Sequence, residues 1–214
     1  MAFERISVLV PTRRRLGRLF AMIESFDRTT RGAAELVFRV DEDDVATIES
    51  LRGQRMLIGP RLNGYASLPT FYNELYAAAE GDVLLCGNDD MTFVSRGWDR
   101  LILAEANRYP DGLFDIGVDV HNHLNFPLAI ISKKMADCVG FYFDPRFFWG
   151  DIFWRDVASH FERAVHLPTV TVEHDWAGFD PDETFLAGEG ARRADHSTYH
   201  AQAVYEAIEK LRAM

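Results

Sequence analysis

GDVLLCGNDDM, residues 81–91, decides how this chain is read. Four apolar residues, Val83, Leu84, Leu85 and Cys86, stop abruptly at Gly87-Asn88-Asp89-Asp90. A short apolar run bounded by turn residues is the pattern of a buried strand. Carboxylates at the C-terminal end of such a strand stand at the edge where open α/β sheets bind ligands. Side by side they repel, so an ion or a solvated turn should accompany them. Hard divalent cations, Mg²⁺ or Mn²⁺, take oxygen ligands of this kind and complete their shell with substrate phosphates. A solvated Asn-Asp-Asp turn is the plainer alternative.

The residues before this stretch alternate strand and helix. Residues 6–10 form a first strand, closed by Pro11-Thr12, and Arg13-Arg14-Arg15 lead into a helix with Leu16, Leu19, Phe20 and Ile23 on one face. Three arginines at a helix start oppose the helix dipole, a cost offset either by solvent or by a nearby phosphate. A second strand over 35–40 runs into Asp41-Glu42-Asp43-Asp44, with Asp44 suited to cap a helix over 45–51. Residues 56–58 read as a third strand, followed by Gly59-Pro60 and a loop with Asn63-Gly64. A helix over 68–79, with Phe71, Leu75 and Ala78 on one side, stops at Gly81 as its cap. This β-α-β-α-β-α-β order implies a mostly parallel sheet with helices on its faces.

Beyond Asp90 the pattern loosens. A helix over 98–107, strands over 115–120 and 127–132, and a short helix over 133–139 are expected. An aromatic segment over 141–149 leads into Gly150-Asp151 and a helix through about residue 164. A last strand over 170–172 runs into Glu173-His174-Asp175-Trp176, and a helix over 197–211 follows. Trp149, Trp154 and the neighbouring phenylalanines are either core or a stacking platform for an acceptor. The organisation is one domain, with a nucleotide-binding half over 1–92, an acceptor half over 93–190 and a C-terminal helix over 195–214.

Composition narrows the function classes. The 214 residues fit one domain with a sizeable core, and 48% hydrophobic with 26% charged content is that of a globular protein. A net charge of −10 disfavours nonspecific nucleic-acid binding and asks for a metal or local arginines to hold an anionic substrate. No apolar run reaches membrane-span length, and the N-terminal run is too short for a signal peptide, so a cytoplasmic location is expected. Cys86 and Cys138 are expected as free thiols.

Taken together these segments resemble the family-2-like glycosyltransferases of GT-A fold, a Rossmann-like α/β domain. The stretches that carry the likeness are ISVLVPTRRR at the opening, ELVFRVDEDD, NGYASLPTFYNELYAAAEGDVLLCGNDDM, SRGWD over 95–99, and VEHDWAGFDPDETF over 172–185. The resemblance implies transfer of a sugar from a nucleoside diphosphate sugar to an acceptor hydroxyl. The acceptor is expected to be a glycan or other hydroxyl compound, with a modified DNA base also conceivable. Pro11, Thr12 and an arginine of the run, Arg13 among them, would approach the nucleotide, with Asp41 on its base and Arg61 a further candidate. Asn88-Asp89-Asp90 stands for the DxD-type motif, with an amide in the first place. Asn88 and Asp89 would meet the donor, while Asp90 and His174 would hold Mn²⁺ or Mg²⁺. Asp151 would be the catalytic base. Asp182, inside a Pro-Asp-Glu turn, suits contact with either a helix start or the substrate.

Other readings stay open at this stage. Asp151 also suits a helix cap, and His174 beside Asp175 suits a surface pair. His121 and His123, spaced HxH, with Asp115 or Asp119 and the later His160, His166 and His174, point to a metal-dependent hydrolase. A fold retained as a non-catalytic sugar-nucleotide-binding module is kept alive by Asn88.

Overall fold

In a computed structural model that describes residues 2–62, 67–121, 128–146, 150–174 and 196–213, the chain forms one eight-stranded sheet with helices on both faces. The strands are β1 (Ile6–Thr12), β2 (Ala34–Asp41), β3 (Met56–Gly59), β4 (Val83–Cys86), β5 (Met91–Phe93), β6 (Asp115–His121), β7 (Ile130–Ser132) and β8 (Ala164–His174). The helices among the described residues are α1 (Leu16–Thr29), α2 (Val45–Ser50), α3 (Leu68–Ala78), α4 (Trp98–Ala106), α5 (Lys133–Val139), α6 (Gly150–His160) and α7 (His196–Arg212).

The strand order is β3-β2-β1-β4-β7-β6-β8-β5. β1 pairs in parallel with β2 and β4, and β2 with β3, so β1 lies between the strands that follow it in opposite directions across the sheet. That reversal makes the C-terminal ends of β1 and β4 a topological switch point. β7 runs antiparallel to β4 and β6, β8 runs parallel to β6, and β5 closes the edge antiparallel to β8.

Alternation along the strands builds two cores. Ile6, Val8, Val10, Val83 and Leu85 pack with Leu19, Met22 and Phe26 of α1 and Trp98 and Ile102 of α4. Leu9, Leu84 and Cys86 face the other way, onto Tyr72 and Leu75 of α3, Met135 of α5, Trp154 of α6 and Ile208 of α7. β4 is therefore apolar at every position because both of its faces are covered. Cys86 and Cys138 are free thiols, as expected.

Several boundaries differ from the sequence reading for local reasons. α1 turns Leu19, Met22 and Phe26 inward and leaves Phe20 47% exposed, with Leu16 and Ile23 at the margin. α3 ends with Ala79 as its cap, and Ala79, not Ala78, is buried. Gly81 is not a left-handed cap. A Cβ there would lie 2.6 Å from the Ser7 amide nitrogen, so its lack of a side chain lets the chain enter β4 against β1.

The helix expected through residue 164 ends at His160. Glu162 takes φ +57, and the Arg163 amide donates to the Ala158 carbonyl at 2.8 Å, closing the turn. β8 then starts at Ala164, six residues before the strand expected over 170–172. Its pairing with β6 jumps from Leu167↔Val118 to Thr171↔Asp119, and Pro168 falls within that bulge. Proline lacks the ladder's N–H, so it is tolerated in a strand at such a break. β7 is shorter than the expected 127–132, and the three-residue β5 is an addition. The loop at Asn63-Gly64 lies outside the described residues, as do Asn122, His123, Phe147, Phe148, Trp149, Asp175, Trp176 and Asp182.

Candidate active site at the switch point

The Asn-Asp-Asp motif is a turn, with the Met91 amide donating to the Asn88 carbonyl at 3.3 Å. It is not a solvated one, because Asp89 is 4% exposed. Gly87 permits the approach: a Cβ there would meet Val8 Cγ1 at 2.7 Å. The Tyr72 hydroxyl donates to the Gly87 carbonyl at 2.8 Å and also reaches Asn88 Oδ1 at 3.2 Å. Thr12, the last residue of β1, donates from Oγ1 to Asp89 Oδ2 at 2.8 Å, bridging the switch point.

Asp90 meets His174 because of strand register. β5 and β8 pair Met91 with His174, which sets the histidine beside the residue preceding Met91. His174 Nε2 lies 3.1 Å from Asp90 Oδ1, and that oxygen is buried with no hydrogen bond of regular geometry. Neighbouring ligand atoms of an octahedral ion with bonds of about 2.1 Å are about 3 Å apart. The separation is that of an ion pair, and both atoms are close enough that they could hold one small divalent cation. Among the described residues no group of three or more His, Cys, Asp or Glu surrounds a common point.

The arginine run is divided by its own backbone. Arg14 takes φ +55, held by its amide donating to Asp44 Oδ2 at 2.7 Å. The bend sends Arg13 and Arg15 to opposite sides. Arg13 donates to Asp41 Oδ2 at 3.0 Å and to Asp43 at 2.9 Å. Arg15 reaches Asp89 Oδ1 at 3.0 Å and Asp90 Oδ2 at 3.5 Å, and Arg18, one helical turn on, stands 3.6 Å from Asp90 Oδ2. Carboxylates thus offset the cost of these cations at a helix start.

Electrostatics separate the two aspartates. Burial pushes Asp89 up to about 6, against the pull of Arg15. Burial acts on Asp90 too, but His174, Arg15 and Arg18 outweigh it and hold its carboxyl below the usual range.

Asp41 sits between Arg13 and Arg39, with Oδ1 toward the latter. Arg39 is 1% exposed, stacks 4.2 Å over the Phe71 ring, and donates to the Pro60 carbonyl at 2.6 Å and Glu74 at 3.0 Å. Gly59 makes room for it, since a Cβ there would lie 2.8 Å from its Nη2. Arg61 is about half exposed, with Nη1 3.8 Å from Asp43. Neither Arg39 nor Arg18 was singled out by the sequence reading. A charged residue inside the apolar β2 run signals the first, and its i,i+3 spacing from Arg15 signals the second.

Asp151 lies in the first turn of α6, 6% exposed. Burial pushes its carboxyl up to about 6, opposed by the Ile152 amide and its own. Its charge acts on Tyr72, Cys86 and Tyr142, residues around the C-terminal end of β4. Asp151 thus combines a place in the first turn of α6 with an electrostatic reach to the residues at the end of β4. Trp154 and Phe153 are fully buried, and Trp154 Nε1 donates to the Tyr142 carbonyl at 2.6 Å, so these aromatics are core and not a stacking platform. Of the histidine constellation, His166 Nε2 pairs with Asp119 at 2.8 Å on exposed surface, and Asp115 is buried with its Oδ1 accepting from the Ile130 amide at 3.2 Å. His121 ends β6, and its side chain lies outside the described residues.

No protein-family model matches the chain, and no curated protein matches it. Solved structures do. TarS residues 1–349 from S. aureus, in complex with UDP, matches with a TM-score of 0.60 at 13% identity, over 98% of this chain and 72% of that one. GalNAc-T7 with UDP, GalNAc and Mn²⁺ gives 0.61 at 13% identity, over 87% and 48%. The mannosyltransferase PcManGT from Pyrobaculum calidifontis, with GDP-Man and Mn²⁺, gives 0.60 at 13% identity, over 98% and 74%. The chain spans 43% of the longer TarS structure. The fold is GT-A, in one α/β domain with a mostly parallel sheet, in agreement with the expectation. No helix among the described residues is long and apolar enough to cross a membrane.

Proposed function

We propose that the chain is a glycosyltransferase that moves a sugar from a nucleoside diphosphate sugar to an acceptor hydroxyl, with Mn²⁺ or Mg²⁺ as cofactor. The observation that carries this reading is the meeting of Asp90 and His174 at 3.1 Å, at the switch point of a GT-A sheet. Structural neighbours with the same fold hold UDP, GDP-mannose and Mn²⁺.

The base of the nucleotide lies against Asp41 and Arg13, with Arg61 beside them, and Pro11 and Thr12 flank it at the end of β1. Asn88 and Asp89 face the sugar and diphosphate, with Asp89 fixed by Thr12. Asp90 and His174 hold the cation, which when bound supplies Lewis-acid stabilisation of the leaving diphosphate. Asp151 takes the proton of the acceptor hydroxyl as the new bond forms from its oxygen to the anomeric carbon and the bond to the diphosphate breaks. Its raised pKa of about 6 leaves it ionised at neutral pH while keeping it more basic than a solvent-exposed carboxylate. The acceptor is a glycan or another hydroxyl compound.

Calorimetric titration with UDP and GDP, with and without Mn²⁺, tests the donor site. Metal-dependent binding of one nucleotide, lost in Asp90→Ala, is expected. Absence of binding under every metal condition overturns the assignment.

A further inference from the structure

Most of the described arginines and lysines are held by carboxylates or carbonyl oxygens, and the exceptions gather on one face. Arg28, Arg31, Arg96 and Arg100 are exposed, and among the described residues their side chains make no ion pair or hydrogen bond. Arg28 closes the last turn of α1 and Arg31 follows it, while Arg96 and Arg100 flank the start of α4. The two segments are clasped by the Gly97 amide, which donates to the Thr29 carbonyl at 2.7 Å, and by Asp99. A Cβ on Gly97 would stand 3.5 Å from Arg31 Cγ, so the Arg31 stem lies over the turn between Arg96 and Arg100. Asp99 does not offset these charges outward, because it is fully buried with Oδ2 on Thr30, Arg31 and Ala33. Asp27, the exposed acid beside Arg28, lines a cavity with Glu35, Leu36 and Arg55 on the β2 side. Two exposed aliphatic side chains adjoin the arginines, Val94 at 44% and Leu101 at 38% exposure.

We propose that this face is a docking surface for an anionic phospholipid bilayer. The four guanidiniums match headgroup phosphates in charge and geometry. Val94 and Leu101 extend into the apolar side of the interface, while the arginine stems cover apolar surface and keep their charges at phosphate level. A soluble acidic polymer would use the arginines but gain little from the aliphatic pair. The net charge of −10 makes the remainder of the molecule repel such a surface, so binding has one orientation. Acids more than about 10 Å away are screened at physiological salt. α1 leaves β1 at Thr12 and delivers the chain to the start of β2, so the cluster lies at the sheet edge opposite Asp89 and Asp90. A docked molecule therefore keeps that other edge toward water, and the proposal holds whatever reaction occurs there.

The test is co-sedimentation of the whole chain with vesicles of phosphatidylcholine alone and of phosphatidylcholine mixed equally with phosphatidylglycerol. Binding to the mixed vesicles only, and its loss at high salt, are expected. Arg96→Gln and Arg100→Gln should each weaken it about fivefold, and the triple variant with Arg31→Gln about a hundredfold. Val94→Ser with Leu101→Ser should weaken it about threefold or more. Thermal unfolding checks that each variant is folded, and Arg96→Gln alone, at an exposed turn position, carries the test if the triple variant is not. No binding to mixed vesicles, or binding that survives loss of the arginines, overturns the docking surface. Binding of a single-stranded oligonucleotide without binding of vesicles, or vesicle binding indifferent to Val94 and Leu101, overturns the bilayer in favour of an acidic polymer. Calorimetric nucleotide binding should be the same in all these variants, so the donor site stands or falls separately.

Discussion

Asp151 combines a place in the first turn of α6 with the role of proton acceptor in the proposed reaction, and the two respond differently to substitution. Asparagine keeps an oxygen for the Ile152 amide but cannot take a proton. Asp151→Asn should fold normally and lower kcat by on the order of 10²- to 10⁴-fold, read by release of nucleoside diphosphate once a donor is identified. In the unmodified protein kcat/KM should rise with pH through an apparent pKa near 6 and then level, following ionisation of this carboxyl. A profile flat from pH 5 to 8 would remove Asp151 from the role of base. Asp99, in SRGWD, is by contrast a brace. It is fully buried and accepts from the Thr30 hydroxyl at 2.9 Å and from the amides of Arg31 and Ala33 at 2.8 and 2.9 Å. Asp99→Ala leaves these donors unsatisfied and should cost about 2–4 kcal/mol in urea denaturation.

At the scale of elements, close approaches govern how the strands meet. Gly81→Ala inserts a Cβ 2.6 Å from backbone at Ser7, and backbone yields less readily than a flexible side chain. It should lower stability by about 1–3 kcal/mol, measured by the urea midpoint, with a smaller effect if the 80–83 entry can shift. The same element shows how much could be read in advance. β1, β2 and β4 were legible because parallel strands covered on both faces carry continuous apolar runs with turn residues at their ends. The motif's place at the sheet edge followed directly. β8 was only partly legible, because Pro168 interrupts the run and exposed positions dilute its pattern. β5 was hidden in three residues whose strand character comes wholly from pairing with β8. What joins Asp90 to His174 is that pairing, and register between distant segments leaves no local trace. The likeness to GT-A enzymes supplied the histidine where spacing could not. Arg39 and Arg18 leave little trace in the sequence because Glu74 of α3 and Asp90 of the β4–β5 turn, which they meet, come from other elements.

For the whole molecule, buried acids set a pH dependence of folding. Burial pushes Asp115 from its ordinary 3.8 up to about 8, the Ile130 amide offsetting only part of that. The folded state keeps a proton that the unfolded chain releases, so stability should fall as pH rises from about 4 to about 8. Asp89 and Asp151 act in the same sense up to about 6. Glu35, Asp90 and Asp99, held below their ordinary values of 3.8 to 4.5, lose their contributions only at lower pH, outside most of this window. Asp115→Asn should flatten the decline between pH 6 and 8, measured by urea denaturation at each pH, and an unchanged slope would refute the assignment. The β5–β8 register has a kinetic consequence as well. Thr12, Asp90 and His174 are drawn from widely separated stretches, and loop closure delays contacts of that kind. The proposed donor site should therefore be among the last features to mature during refolding. A stopped-flow nucleotide signal should lag the burial of Trp98 and Trp154, making donor binding a reporter of completed strand assembly rather than of collapse.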